Sequence, residues 1–180
     1  MKKIIALLLI ATFSSSSCEK DDICDANTST TPRLVIEFYD NGNPSVLKNV
    51  TNLKVIGEGM TEGIIFNPNS TGEFQYLVNG SSISIPLKTD METTTYSFIL
   101  NSGNPNPALI DIDKVTFNYK KNDVFVSRAC GFKTLFVFNP TNAIVHTPVP
   151  TTKLLTWMQY ISVEKSNIDN ENETHIKVFF

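Results

Sequence analysis

Val115-Thr116-Phe117-Asn118-Tyr119, then Lys121-Asn122-Asp123, Val124-Phe125-Val126-Ser127 and finally Phe132-Lys133-Thr134-Leu135-Phe136-Val137-Phe138 form the stretch that decides the fold. Val115, Phe117 and Tyr119 alternate with Thr116 and Asn118, the period of a strand buried on one face. Lys121-Asn122-Asp123 reads as a turn into 124–127, which predicts a hairpin. Residues 132–138 follow Cys130-Gly131 and are apolar on both faces, so they read as a central strand.

The same grammar extends in both directions. Leu34, Ile36 and Phe38 form one face of residues 33–40, and Asp40-Asn41-Gly42-Asn43-Pro44 is a dense turn signal. Short strands are expected at 53–57, 63–66 and 74–78. In 81–87, Ile83, Ile85 and Leu87 share a face, and Pro86 marks an edge or a strand end because it cannot donate to a ladder. Tyr96, Phe98 and Leu100 are in register, and 143–149 is a further short strand. Residues 151–161 fit a helical stripe almost as well as a strand. The preferred reading is a strand from about Tyr160, paired with 174–180 across Asp169-Asn170-Glu171-Asn172. About ten short strands with turn-rich loops and no long helix predict an all-β protein. The expected architecture is a single immunoglobulin-like β-sandwich, mostly antiparallel.

Composition narrows the function classes. The chain has 180 residues and a net charge of −3; without its first 17 residues, including Lys2 and Lys3, 163 remain at −5. That is enough for one domain with a proper core. No basic patch supports nucleic-acid binding, and no motif calls for a cofactor. His146 and His175 have no nucleophile-elbow or Cys–His signature around them, so structural roles are expected. Asp111 and Asp113 could share a face and hold Ca²⁺, but no third ligand with a glycine turn follows, and solvation at a loop and strand edge is the expectation. No metal site is expected. Arg128 is expected to cap the hairpin or to pair with an acidic neighbour, and it marks the place to look for a recognition site.

The N-terminus carries an address. Met1-Lys2-Lys3 is basic, residues 4–13 are nearly all apolar, and Ser14 to Ser17 lead to Cys18. This is the grammar of a secretory signal, and the apolar run is too short to span a bilayer. Ser15-Ser16-Ser17-Cys18 resembles a bacterial lipobox, with Ser15 where Leu is common, which implies that Cys18 is acylated and anchors the chain in a membrane. Glu19-Lys20-Asp21-Asp22 is similar to the surface-export signal of Bacteroidota lipoproteins, which implies that Lys20, Asp21 and Asp22 direct it to the cell surface. The expected organisation is a signal peptide over 1–17, a lipidated tether over 18–32 and the sandwich over 33–180.

Three cysteines are present. With Cys18 acylated, Cys24 and Cys130 remain as a pair in an oxidising compartment, which predicts a disulfide. Closing a loop of about 100 residues is worth up to ~4.7 kcal/mol in the chain-entropy model.

Ser127-Arg128-Ala129-Cys130-Gly131-Phe132, taken with Cys18 to Cys24, Thr31 to Asp40, Ile85-Pro86-Leu87 and His175 to Phe180, resembles a Bacteroidota lipoprotein family known only as a domain of unknown function. The resemblance implies a lipoprotein address and no activity. The alternation of Ile176, Val178 and Phe180 also resembles the end of an outer-membrane barrel, but barrel strands run ~9–11 residues with an apolar outer band, unlike these. The functional expectation is a non-enzymatic binding or accessory module at the outer membrane, for an envelope protein or glycan. Two other classes stand beside it: a glycan-acting hydrolase with dispersed carboxylates, and a structural subunit of an outer-membrane complex.

Overall fold

The computed structural model describes residues 23–149 and 156–180. Cys18, Lys20, Asp21 and Asp22 lie outside them, as do residues 151–155 of the segment that fitted either helix or strand.

Eleven strands form two packed sheets. The smaller contains β1 (Leu34–Tyr39), β4 (Ser82–Ile85), β9 (Tyr160–Val163) and β11 (Ile176–Phe179), in the order β4-β1-β11-β9. The larger contains β2 (Leu53–Gly57), β3 (Leu77–Val78), β5 (Thr93–Leu100), β6 (Asp111–Ser127), β7 (Gly131–Phe138) and β10 (Asn167–Ile168), in the order β10-β7-β6-β5-β2-β3. The strand β8 (Ile144–Val149) also pairs with β6. All pairings are antiparallel except that of β1 with β11. The expectation of an all-β sandwich is met; these pairings do not specify an immunoglobulin order.

One apolar cluster fills the space between the sheets. Leu34, Ile36 and Phe38 face Phe98, Phe117 and Phe138, with Ile176 and Val178 beside them. The alternation predicted for β1, β5 and the first half of β6 is therefore the core face.

Four local expectations fail, each for a physical reason. Lys121-Asn122-Asp123 is not a turn: β6 runs unbroken to Ser127, and Lys121, Asn122 and Asp123 pair with Phe136, Leu135 and Thr134. Those positions are polar because this part of the strand is exposed. The reversal comes at Arg128-Ala129-Cys130, where the Cys130 amide donates to Ser127 Oγ at 3.0 Å and Gly131 takes φ +72°, a value that favours glycine. β7 is not fully central: Val137 alternates with the core residues Phe136 and Phe138 and so faces outward, and Phe132 lies beyond β10, which pairs only with Phe136 and Val137. Residues 74–78 alternate but begin in a 3-10 turn (Gly72–Tyr76), which leaves Phe74 exposed and Tyr76 buried. Residues 63–66 contribute one bridge, Ile56 to Gly63, rather than a strand.

Other readings hold. Pro86 follows the edge strand β4. β9 starts at Tyr160 and pairs with β11. The connection between them is longer than a turn, because Asn167–Ile168 crosses to β7 and back.

The parallel pairing has a specific clamp. The His175 amide donates to the Val35 carbonyl at 3.1 Å, and the Val35 amide donates to His175 Nδ1 at 3.0 Å. The His175 carbonyl accepts from Glu164 at 2.8 Å on its other side. One fully buried residue thus joins β1, β11 and the end of β9. Accepting at Nδ1 requires a neutral ring, and burial pushes the His175 pKa below its ordinary value against the pull of nearby Glu173, Asp169 and Glu171.

The disulfide Cys24–Cys130 is present, with Cα atoms 4.9 Å apart and a sequence separation of 106. It fixes the N-terminal segment to the β6–β7 turn. Further along, the Thr134 amide donates to Thr31 Oγ1 at 2.9 Å and Lys133 Nζ donates to Ser29 Oγ at 3.0 Å, so the segment follows the edge of β7 before entering β1.

Two outcomes follow. The unfolded chain binds a proton at His175 more readily than the fold, so its contribution is complete above the ordinary histidine pKa and is lost as pH falls below it. Urea midpoints should decline between pH 7.5 and 5.5, by at most about 1.4 kcal/mol per pH unit. In His175→Asn, whose amide oxygen can replace Nδ1 as acceptor, that slope should vanish; an unchanged slope would exclude His175 as its source. For the disulfide, Cys24→Ser with Cys130→Ser should lower unfolding free energy by roughly 2–5 kcal/mol and open residues 24–32 to limited proteolysis while the sandwich still folds. Denaturant titration and peptide mapping read both effects.

Candidate functional site

The outward positions of the smaller sheet carry an arrangement of aromatic and charged groups. In β1 the inward residues are Leu34, Ile36 and Phe38, so Glu37 and Tyr39 point away from the core. In β11 the outward residues are Lys177 and Phe179, and in β9 they are Tyr160 and Ser162. The register places Tyr39 beside Phe179 and Phe179 beside Tyr160. Three rings therefore run across three strands, with centroids 5.6 and 5.7 Å apart and planes tilted by 32° and 36°. The rings are tilted against one another at a spacing within the range of interacting aromatic pairs. Tyr160 closes it on the outer edge strand and is 61% exposed.

A charged row lies one step along the strands. Glu37 is in register with Lys177, and Lys177 with Ser162. Tyr39 donates from its hydroxyl to Glu37 Oε2 at 2.8 Å, and Lys177 Nζ donates to Glu164 Oε2 at 3.1 Å while lying 5.3 Å from the Tyr39 ring centre. Ser162 Oγ donates to the other oxygen of Glu164 at 3.0 Å. The hydrogen bond to Glu37 raises the Tyr39 pKa, so its hydroxyl stays a donor near neutrality. The hydrogen bond from Lys177 holds Glu164 below the ordinary carboxylate range. Aromatic edges, a free ring face on Tyr160, an ammonium and carboxylates are thus presented together. Asn41 and Gln159 extend the polar margin through a 2.6 Å side-chain bond.

β6 locates this face along the molecule. Phe38 packs on Trp157 with ring centres 6.2 Å apart, and Trp157 Nε1 donates to the Phe98 carbonyl at 3.3 Å. Phe98 is in register with Asp113, near the start of β6. The disulfide sits beyond Ser127, at the other end. At about 3.3 Å per residue, the fourteen steps from Asp113 to Ser127 separate the two ends by roughly 45 Å along the strand.

The residues singled out in the sequence fall elsewhere. Arg128 is exposed in the β6–β7 turn and makes no ion pair among the described residues, contrary to the expectation of an acidic partner. Asp113 is not solvated at an edge: it is 1% exposed, accepts from the Met158 amide at 2.9 Å, and lies 3.4 Å from His146 Nε2. It caps the chain where it re-enters the sandwich. Asp111 and Asp113 do not form a metal cluster, and no group of three or more potential ligands occurs among the described residues. His175 is the structural clamp already described.

An apolar groove of about 580 Å³ lies on the outer side of the larger sheet, lined by Ile56, Met60, Ile99, Ile112 and Val149. Its wall ends at Val149, where the described residues stop.

Tyr39, Phe179 and Tyr160 escaped the sequence reading. Their signal was available: each is a large ring at an outward position whose neighbours along the strand are polar or core-facing. Register across β1, β11 and β9 was not, and the row exists only through that register.

No helix among the described residues is long and apolar enough to cross a membrane. No curated protein and no solved structure matches the chain. A family model described as a family of unknown function (DUF6452) matches residues 52–180, which span β2 to β11 and so include two of the three strands of the aromatic row. The chain belongs to this family, DUF6452, whose function is unknown.

Proposed function

We propose that the protein is a lipid-anchored lipoprotein of the outer membrane, facing the cell surface, whose sandwich is a non-enzymatic module that binds glycan through the outer face of the smaller sheet. The observation that carries the binding part is the Tyr39–Phe179–Tyr160 row beside Glu37, Lys177 and Glu164. Sugar rings present apolar C–H faces and a rim of hydroxyls. An exposed ring face accepts the first, and paired charges with spare acceptor and donor positions accept the second. A flat sheet face suits an extended chain better than a small molecule, which requires a cavity. The address rests on Cys18 after an apolar leader, and on Lys20, Asp21 and Asp22 directly behind it.

Two measurements test the parts separately. On intact native cells, added protease should digest the wild-type chain, whereas Lys20, Asp21 and Asp22 all changed to Ala should leave it protected. Protection of the wild type would place the domain on the periplasmic side. For binding, the purified protein should retain envelope or extracellular polysaccharide in affinity electrophoresis. Tyr160→Ala should weaken retention roughly tenfold with little change in thermal midpoint, because the side chain is largely exposed. Equal retention by wild type, Tyr160→Ala and Phe179→Ala would remove the glycan reading.

A further inference from the structure

The distal half of the β6–β7 hairpin presents two large rings where a soluble domain normally presents polar groups. Phe125 and Phe132 are in register across the hairpin, with ring centres 5.4 Å apart at 68°. They are 56% and 69% exposed. They lie on the same hairpin face as Tyr119, Phe136 and Phe138, but beyond the hydrogen-bonded pair Asp123 and Thr134, so they form a separate apolar patch past the end of the sandwich core. Around them the chain is basic: Lys120, Lys121, Arg128 and Lys133 against Asp123 leave +3 between residues 120 and 133. The mature chain as a whole is negative.

The turn of this hairpin is also the point to which the N-terminus is bonded. Cys24 joins Cys130, two residues before Phe132. Six residue steps separate Cys18 from Cys24, a reach of at most about 20 Å when fully extended. Ile23, beside the disulfide, is itself 78% exposed.

We infer that the end of the β6–β7 hairpin docks on the lipid surface, as a second contact beside the acyl anchor; this rests on the acylation of Cys18 proposed above. Apolar rings flanked by cationic side chains are the chemistry of an interfacial contact with anionic lipid. Each basic residue close to such a surface strengthens partitioning about fivefold. The tether residues Glu19, Asp21 and Asp22 against Lys20 contribute −2 at the same end, and the hairpin's +3 offsets them. A short leash keeps the hairpin at high effective concentration above the bilayer, so a contact too weak to hold a free protein suffices here. The described residues leave Phe125 and Phe132 more than half exposed, although Phe132 lines a small cavity with Thr28 to Thr31, and a lipid surface would cover what remains.

The test uses the full chain made in its native cell, carrying Phe132→Trp, purified and reconstituted in vesicles. Mass spectrometry of the N-terminal peptide first reads the acyl groups on Cys18. In phosphatidylglycerol-containing vesicles the new indole should emit at shorter wavelength and lose at least half its intensity to lipids brominated near the headgroup. Both effects should shrink at high salt and in phosphatidylcholine alone. The wild type supplies the background of Trp157, which is buried. Phe125→Trp is the second reporter. An acylated protein whose new indole emits as in water and is not quenched would overturn the docking proposal and leave the anchor intact. A shift caused instead by self-association, seen in detergent without lipid, would also overturn it. If Cys18 carries no acyl group, the anchor reading fails by itself. Adding vesicles then decides the docking: quenching sustains it and silence ends it.

Discussion

His175 is the residue on which the smaller sheet depends. Its amide and its ring nitrogen both engage Val35, and its carbonyl serves the chain leaving β9. Three neighbouring strands meet at one buried residue, through its backbone and its ring nitrogen together. A parallel pair lacks the short turn that aligns an antiparallel one, so its register must be set by something else. Here a neutral imidazole inserts itself into the ladder where the backbone of β11 begins. A one-residue slip at this point would turn Phe179 inward and Val178 outward. The core would lose an apolar contact, and the aromatic row would cease to exist.

The second constraint is the length of β6. A strand of 17 residues is longer than either sheet needs. Its first half is paired on both sides, with β5 and β8, and its second half mainly with β7. The exposed ribbon this leaves would be marginal alone. It is held by the disulfide at its turn, by Thr134 and Lys133 gripping the N-terminal segment, and by the hydrogen bond from Thr134 Oγ1 to Asp123 Oδ1 at 2.7 Å. That last contact explains why Asp123 sits mid-strand: it pairs with Thr134 across the ribbon instead of making a turn.

The parts legible in the sequence were those governed by period-two alternation. Val115, Phe117 and Tyr119, or Ile83 and Ile85, announce a buried face without any knowledge of their partners. The pairing of Cys24 with Cys130 followed from counting thiols in a chain expected to be exported. What stayed hidden depends on neighbours distant in sequence. Asp123 reads as a turn residue until Thr134 is known to lie opposite. Asp113 reads as solvated until Met158 returns to donate to it. Tyr39, Phe179 and Tyr160 read as separate outward rings until the register lines them up. A hydrophobic pattern carries the orientation of each strand but not the identity of the strand beside it.

The two special surfaces lie at opposite ends, and that placement is itself a physical consequence of the fold. The N-terminal segment is bonded at the Ser127 end of β6, follows β7 and then enters β1, whose last residues reach the level of Asp113 through Phe38 and Trp157. The segment along β7 and then β1 together carry the chain from the tied end to the far end, and Tyr39 is the last residue of β1. An anchored domain that binds through its tethered end would compete with its own membrane for access. One that binds through the opposite end avoids this, and stiffness then decides how well the face is presented. Were the tether free over residues 18–32, the domain could tumble and the face would spend much of its time turned toward the bilayer. Under the proposed anchoring at Cys18, the disulfide ends the tether at Cys24, and strand β6 would then set the height and tilt of Tyr39, Phe179 and Tyr160. On that proposal the aromatic face, the strand and the tether would form one mechanical arrangement, each fixed by contacts that the others do not supply.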